Sequence, residues 1–292
     1  MGSYVFFTFN DEEALNNVKW VYLAIAIFVF ILAIVFFLST IPEITDADMA
    51  HQANETNANA DDKPFWKQYR LFHATFAQFC YTGAQIAIAS FFINYVKDTR
   101  SNTGDDLASQ FLAGAQGAFA VGRFFGVFLM KYIRPRKVFL FFLTACVVFI
   151  APSITQRENT GMSMLYVTLF FESICFPTIV ALGMRGLGRH TKRGSGFIVG
   201  GVVGGAVVSP LTGVAADAFE NTATAMLVPL VFFVAASTYA VAVNFIPAYR
   251  NPADAFSTTE IGLQGEAVDE EIAKGGVPAD EKVINDLEAE KS

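Results

Sequence analysis

Three polar side chains with helical spacing interrupt the apolar run FAQFCYTGAQIAIASFFINY at 76–95. At about 100° per residue, Gln78, Tyr81 and Gln85 fall on one face of a helix. An aligned polar face in an apolar helix meets either another helix or a water-filled cavity. Two amides and a phenol suit a neutral, polyhydroxylated ligand, and hydrogen bonding between helices is the alternative interpretation.

Two fully charged side chains, Arg123 and Glu172, also lie inside apolar segments. Each is costly in hydrocarbon and requires a partner or water. Glu172 lies one turn before Phe176 and Pro177, and the proline can kink a helix there. We therefore predict Glu172 and Arg123 as candidate proton-binding or gating residues. The alternatives are capture of a neighbouring polar group by Glu172 and a structural or gating ion pair for Arg123.

The elements that position these residues are predicted membrane spans. The chain is 53% hydrophobic and 16% charged, whereas soluble domains average roughly 25% charged residues. A span needs about 20 apolar residues, and seven segments qualify. The prediction is an all-α polytopic membrane protein with seven transmembrane helices. The predicted spans are 20–40, 71–95, 108–130, 138–155, 162–183, 196–218 and 224–246.

Basic residues in the connecting segments predict the orientation. Segments after the odd-numbered spans carry twelve Lys and Arg residues, and those on the opposite side carry four. By the positive-inside rule the C-terminus is cytosolic and the N-terminus lies outside, most simply in the plasma membrane.

An odd number of spans with an external N-terminus is expected for the back part of a longer protein. Residues 1–19 are then an extracellular remnant, and the acidic segment 41–70 is a cytosolic linker after the first span. The last six spans, within 71–246, form one unit. Residues 247–292, with eleven acids beyond residue 250, are predicted to be a disordered cytosolic tail.

Enzyme signatures are absent from the sequence, which has no H-E-x-x-H, C-x-x-C or G-x-S-x-G motif. Cys80, Cys146 and Cys175 all lie in apolar runs, which favours buried free thiols over a metal site or disulfides. We expect no catalytic activity, cofactor, metal or nucleic-acid partner; the bilayer is the environment.

Glycines in the sixth predicted span form two overlapping small-xxx-small pairs, Gly200 with Gly204 and Gly201 with Gly205. Such pairs allow a second helix to approach closely. The pattern therefore predicts tight helix packing there.

The polar run belongs to a longer pattern. Residues 77–85 read A-Q-F-C-Y-T-G-A-Q, residues 121–138 contain G-R-F-F-G and P-R-K-V, and residues 176–217 contain P-T-I, T-K and G-S-G-F-I-V. In this order, these blocks resemble the fucose permease and glucose/galactose transporter family of the major facilitator superfamily. The resemblance extends from about residue 20 to residue 246.

The resemblance implies that 20–40 corresponds to helix six of twelve and 71–246 to a complete C-terminal half. It implies proton-coupled symport of a hexose or L-fucose by alternating access, with the sugar bound between two halves near the midplane. The half that carries the family's proton-coupling carboxylates is then missing, and the chain is expected to be inactive without it.

The resemblance also assigns residues. Gln78, Tyr81 and Gln85 match cavity-facing positions, and Phe176 stands where a fucose-transporting member has a tyrosine. The basic group Arg134, Arg136 and Lys137 resembles the cytosolic gate motif of the superfamily. A seven-helix receptor, which the span count and orientation also fit, and an inactive truncation remain the alternatives.

Overall fold

Six helices in the described part of the chain are long and apolar enough to cross a bilayer. The computed structural model describes residues 11–38, 64–100, 103–187 and 190–255. Every regular element in these ranges is helical. The six spans are Tyr69–Thr99, Asp105–Tyr132, Pro135–Thr155, Glu158–Met184, Thr191–Phe219 and Thr222–Phe245. They confirm the all-α membrane fold and the last six predicted spans.

Three of the spans are interrupted, so the six spans comprise nine helices. They are α2 (Tyr69–Thr99), α3 (Asp105–Tyr132), α4 (Pro135–Thr155), α5 (Glu158–Glu172), α6 (Cys175–Met184), α7 (Thr191–Gly200), α8 (Gly204–Phe219), α9 (Thr222–Ala225) and α10 (Leu227–Phe245). A 3₁₀ turn, Gly201–Val203, joins α7 to α8. α1 (Asp11–Leu38) precedes them and α11 (Pro247–Ala255) follows.

The first predicted span, 20–40, coincides with most of the 28-residue helix α1. Its large apolar side chains are exposed where described, including Trp20, Phe30 and Phe37, as expected for a helix surrounded by lipid. Its crossing of the membrane stays a prediction. Residues 1–10, 39–63 and 256–292 lie outside the described residues, as do most of the predicted linker and tail.

Helix α2 forms the centre of the unit and packs against α3, α5, α6, α7, α8 and α10. Fifteen of its side chains are buried. Lipid tails are as apolar as a leucine side chain, so close van der Waals packing must hold such helices together. Gly204 of α8 supplies it, because a Cβ at this position would overlap the carbonyl oxygen of Phe79. Gly201 and Gly205 also face α2, whereas Gly200 has open space around it. Three of the four predicted glycines therefore form the tight seam between α2 and α8.

Charges segregate to the two ends of the bundle. One end, where α2 begins and α3 finishes, carries Arg70, Lys131, Arg185 and Arg250. The other end carries a mixture of acids and bases, including the ion pair of Lys97 with Asp105 at 2.6 Å. From this charge asymmetry we predict that the basic end is cytosolic.

Helix α11 closes the basic end. Arg70 Nη1 donates a hydrogen bond to the carbonyl oxygen of Ala248 at 3.1 Å. The hydroxyl of Tyr249 and Nδ1 of His73 lie 3.2 Å apart, within hydrogen-bond distance. Burial raises the pKa of Tyr249, so its hydroxyl stays neutral near pH 7. Both contacts hold α11 against the start of α2.

Candidate functional site

The helix break between α5 and α6 lies near the middle of the 27-residue span Glu158–Met184. α5 ends at Glu172, and α6 begins at Cys175. Pro177 has no backbone N–H, so it cannot bond the carbonyl group four residues earlier, that of Ser173. In a membrane, such a freed carbonyl must find another donor. The proline thus accounts for the predicted kink, which the structure shows as a break.

Tyr81 of α2 satisfies one carbonyl at this break. Its side chain is fully buried, and its hydroxyl donates to the backbone oxygen of Glu172 at 2.5 Å. Its ring lies 6.0 Å from the ring of Phe233 on α10. In this conformation Tyr81 therefore makes the interhelical hydrogen bond that the sequence left open as the alternative to ligand binding.

Arg123 of α3 satisfies the adjacent carbonyl. Its Nε donates to the backbone oxygen of Ser173 at 3.2 Å, and its guanidinium carbon lies 5.1 Å from the ring centroid of Phe119. Gly122 allows this approach, because a Cβ there would overlap the carbonyl oxygen of Phe170. Within the described residues Arg123 has no ion-pair partner, and its side chain is exposed on the surface of the six-helix unit. The predicted partner of the arginine is thus a backbone carbonyl rather than an acid.

The carboxyl group at this break belongs to Glu172, the last residue of α5. Its side chain is fully buried, and neither carboxyl oxygen has a hydrogen-bond partner among the described residues. Tyr81 and Cys146 lie close enough to Glu172 for electrostatic interaction. The three cysteines of the chain are free and buried, as the sequence predicts. The break therefore combines two occupied carbonyls with one unpartnered carboxyl group at mid-depth.

The remaining predicted sugar-binding residues differ in how far they are buried. Gln78 is fully buried, and its Nε2 lies 3.3 Å from Oγ1 of Thr82, whereas its Oε1 has no described partner. Gln85, two turns further along α2, is half-buried and makes no hydrogen bond with a described residue. Phe176 is half-buried and packs against the core. Of the four candidates, Gln85 and Phe176 are open to a ligand in this conformation, and Gln78 and Tyr81 are enclosed.

The predicted gate residues lie at the start of α4. Arg134 and Lys137 are exposed, but Arg136 is buried. Nη1 of Arg136 donates to Oδ1 of Asn244 at 3.3 Å, and Nδ2 of Asn244 donates to the carbonyl oxygen of Arg136 at 2.8 Å. These bonds fasten the start of α4 to the end of α10. A gating role for the three basic residues stays a prediction.

The sequence analysis did not single out three features of the break and of α3. Ser173 contributes only a backbone oxygen to the Arg123 contact, and a backbone oxygen has no signature in the sequence. Gly122 with Gly126 is a second small-xxx-small pair, which was visible in the sequence. Gln116 lies seven residues before Arg123, on the same face of α3, and is exposed. The seven-residue spacing was the signal for it.

The chain is similar to known sugar transporters over most of its length. It is 31% identical to the L-fucose-proton symporter of Escherichia coli over 217 residues, 74% of this chain and 49% of that protein. It is 30% identical to a glucose/galactose transporter of Brucella abortus over 227 residues, 77% of this chain and 53% of that protein. The chain thus spans about half the length of these relatives.

A solved structure of such a transporter is also similar to this chain. A crystal structure of the fucose:proton symporter of E. coli superimposes with a TM-score of 0.62 at 28% identity. The match covers 80% of this chain and 58% of that one.

The model of the Major Facilitator Superfamily matches residues 13–210. This range contains α2 to α7, the broken span and both candidate charged residues. The chain belongs to the Major Facilitator Superfamily.

Proposed function

We propose that this chain forms one six-helix unit of a sugar:proton symporter that works by alternating access. The observation that carries the proposal is the polar break at mid-depth, in a chain similar to fucose and glucose/galactose transporters. Transporters of this kind bind substrate near the midplane, where discontinuous helices expose polar groups. The substrate class is a neutral hexose or 6-deoxyhexose, and the coupling ion is the proton.

The exposed face of α3 supports the need for a second unit. Gln116 and Arg123 share this face. In the most apolar 18-residue stretch of α3, only 17% of the residues are buried. An arginine near the bilayer centre costs roughly 2.5–3.5 kcal/mol on insertion scales. A second six-helix unit and a water-filled cavity facing α3 would remove that cost. The partner is the N-terminal unit that the resemblance implies, encoded with this chain or supplied separately.

Gln85 is the residue we assign to direct sugar contact. Its amide offers both a donor and an acceptor, and in the described residues neither is used. Phe176 is also half-buried and provides an apolar surface for a sugar ring. Tyr81 joins the site only when the break moves, because this conformation encloses it and bonds it to the Glu172 carbonyl. Arg134, Arg136 and Lys137 then close the cytosolic side of the plasma-membrane protein.

Membership of this family favours transport over the seven-helix receptor interpretation. A receptor would bind its ligand without accumulating it. Reconstituted protein should take up labelled glucose, galactose or L-fucose saturably when a proton gradient is imposed, and an uncoupler should abolish accumulation. Residues 1–292 alone should not do so, whereas residues 1–292 produced together with an N-terminal six-helix unit should.

Substitution of the amide tests the site itself. Gln85→Ala removes hydrogen bonds worth about 0.5–1.5 kcal/mol each, so sugar affinity should fall by about 2- to 13-fold. Gln110→Ala, which removes an exposed amide near the start of α3, is the matched control. Folded protein that accumulates none of the three sugars would overturn the proposal. Uptake with unchanged affinity in Gln85→Ala would remove Gln85 from the site.

A further inference from the structure

The carboxyl group of Glu172 has an environment that only its neutral form tolerates. It is fully buried, and in the described part of the chain no donor reaches either of its oxygens. Burial of an isolated carboxylate is far more costly than burial of the neutral acid. The conformation described here is therefore the one in which Glu172 carries its proton.

Each helix packed against α5 contributes one of the ionisable side chains that interact here. Tyr81 of α2 and Cys146 of α4 interact electrostatically with Glu172, and Arg123 of α3 and Cys175 of α6 interact with Tyr81. Arg123 is the only cation among these four. A phenol and two thiols carry no positive charge in either protonation state, so Tyr81, Cys146 and Cys175 cannot compensate a carboxylate.

Arg123 is also the neighbour that can move. Its side chain is exposed, and its Nε is held by the carbonyl of Ser173, the residue next to Glu172. An ionised carboxylate binds a guanidinium more strongly than a neutral carbonyl does. Loss of the proton from Glu172 would therefore favour transfer of the guanidinium from the carbonyl to the carboxylate.

We propose that Glu172 is a proton-binding site of this six-helix unit, and that Arg123 exchanges between the Ser173 carbonyl and the Glu172 carboxylate as the proton binds and leaves. This inference rests on the proposed function. The proton passes from the carboxylic acid to water in the cavity, and the guanidinium keeps its charge throughout.

The exchange is coupled to the helix break. When Arg123 leaves, the Ser173 carbonyl has no replacement donor within the helix, because Pro177 has no N–H. The conformation of the break that is stable with the proton bound is thus destabilised when the proton leaves. One protonation event at mid-depth thereby changes the angle between α5 and α6, which is the movement needed to release Tyr81 from the Glu172 carbonyl.

Glu172→Gln tests this assignment, because the amide has nearly the shape of the protonated acid but cannot release a proton. We expect it to retain sugar binding, because Gln85 stays accessible in the described conformation, and to lose accumulation driven by a proton gradient. Glu158→Gln replaces an exposed acid of the same helix and should keep both activities. Full gradient-driven accumulation by Glu172→Gln would overturn the inference.

A second measurement separates this inference from the proposed function. Infrared difference spectra of the purified, unmodified protein should contain a carboxylic-acid band that converts to a carboxylate band as the pH rises. This band should be missing from the spectra of Glu172→Gln. In Arg123→Gln the acid band should persist to higher pH, because the carboxylate loses its cation. If no sugar is transported but the band behaves in this way, the proton site stands and the proposed function fails. A Glu172 that is ionised across the whole pH range, or a titration unaffected by Arg123→Gln, would refute the inference.

Discussion

Three membrane spans of the described unit are interrupted, and two of them, α5–α6 and α7–α8, are interrupted in different ways. The span of α5 and α6 breaks at Ser173, and side chains from α2 and α3 bond the carbonyls at the break. The span of α7 and α8 passes through a 3₁₀ turn at Gly201–Val203, whose cap N–H groups bond within the same span. The first break is polar and depends on neighbouring helices; the second is apolar and depends on close contact with α2.

The difference lies in which residue type causes the interruption. Pro177 removes a donor, so the first span needs donors from outside. Glycine removes only a side chain, so the 3₁₀ turn keeps its backbone hydrogen bonds and gains a closer neighbour. We therefore expect the α5–α6 break to act as a hinge and the α2–α8 seam to remain fixed. Each substitution below tests one side of this comparison.

The largest effect is expected at the seam. Gly204→Ala places a methyl group against the Phe79 carbonyl oxygen, and a backbone group cannot rotate away. We expect a loss of roughly 3 kcal/mol or more in unfolding free energy, at or above the usual range for overpacking. Gly200→Ala, with no atom within 4 Å of its Cβ, should leave thermal unfolding in detergent unchanged. Equal behaviour of the two variants would show that the seam is not tightly packed.

Removal of a donor at the break should have the next largest effect. Tyr81→Phe leaves the buried Glu172 carbonyl without its hydrogen bond, at a cost of about 1–3 kcal/mol. Tyr132→Phe, at an exposed tyrosine, is the control and should be neutral. The measurement is the midpoint of thermal unfolding. If the midpoint is unchanged in Tyr81→Phe, another group bonds this carbonyl.

Restoration of a donor at the break should have the opposite sign. Pro177→Ala returns an N–H that can bond the Ser173 carbonyl, so we expect a gain of about 1 kcal/mol in stability. The straightened span should also slow sugar transport while leaving sugar affinity within about twofold. Pro210→Ala in α8 should leave the transport rate unchanged. A slower rate in both variants would contradict the distinction between hinge and seam.

The smallest effect concerns two serines near the two interruptions. Oγ of Ser173 donates to the carbonyl oxygen of Phe170 at 2.8 Å, whereas the buried Oγ of Ser209 has no described partner. Ser173→Ala should cost about 0.5–1.5 kcal/mol, and Ser209→Ala should be neutral or slightly stabilising. Equilibrium unfolding of each variant in mixed micelles would measure this. A larger loss for Ser209→Ala would reveal a partner for that hydroxyl.

The spans and the close packing at the seam could be predicted from the sequence, because both depend on residues that are near one another in the chain. Apolar length predicted the six confirmed helices, and glycine spacing predicted that another helix packs closely there, which the structure shows to be α2. Pro177 likewise predicted a distortion close to where α5 ends. Each of these features depends on residues near one another in the chain.

The partners at the break could not be predicted in the same way. Tyr81 and Arg123 bond backbone oxygens on another span, and every residue has a backbone oxygen. The helical face of Gln78, Tyr81 and Gln85 was predictable, but the enclosure of the first two depends on how α2 sits among its neighbours. Patterns in one helix specify its polar face, and only the assembled helices determine what that face meets.

The central claim is that the α5–α6 break moves while the α2–α8 seam does not. Spin labels at Ser163 and Ala181, exposed sites on either side of the break, would report the movement. Labels at Ser90 and Val203, exposed on α2 and in the turn between α7 and α8, would report the seam. We predict that a rise in pH, which removes the proton from Glu172, shifts the distance distribution of the first pair and leaves the second unchanged. A shift confined to the second pair, or none in the first, would contradict the account.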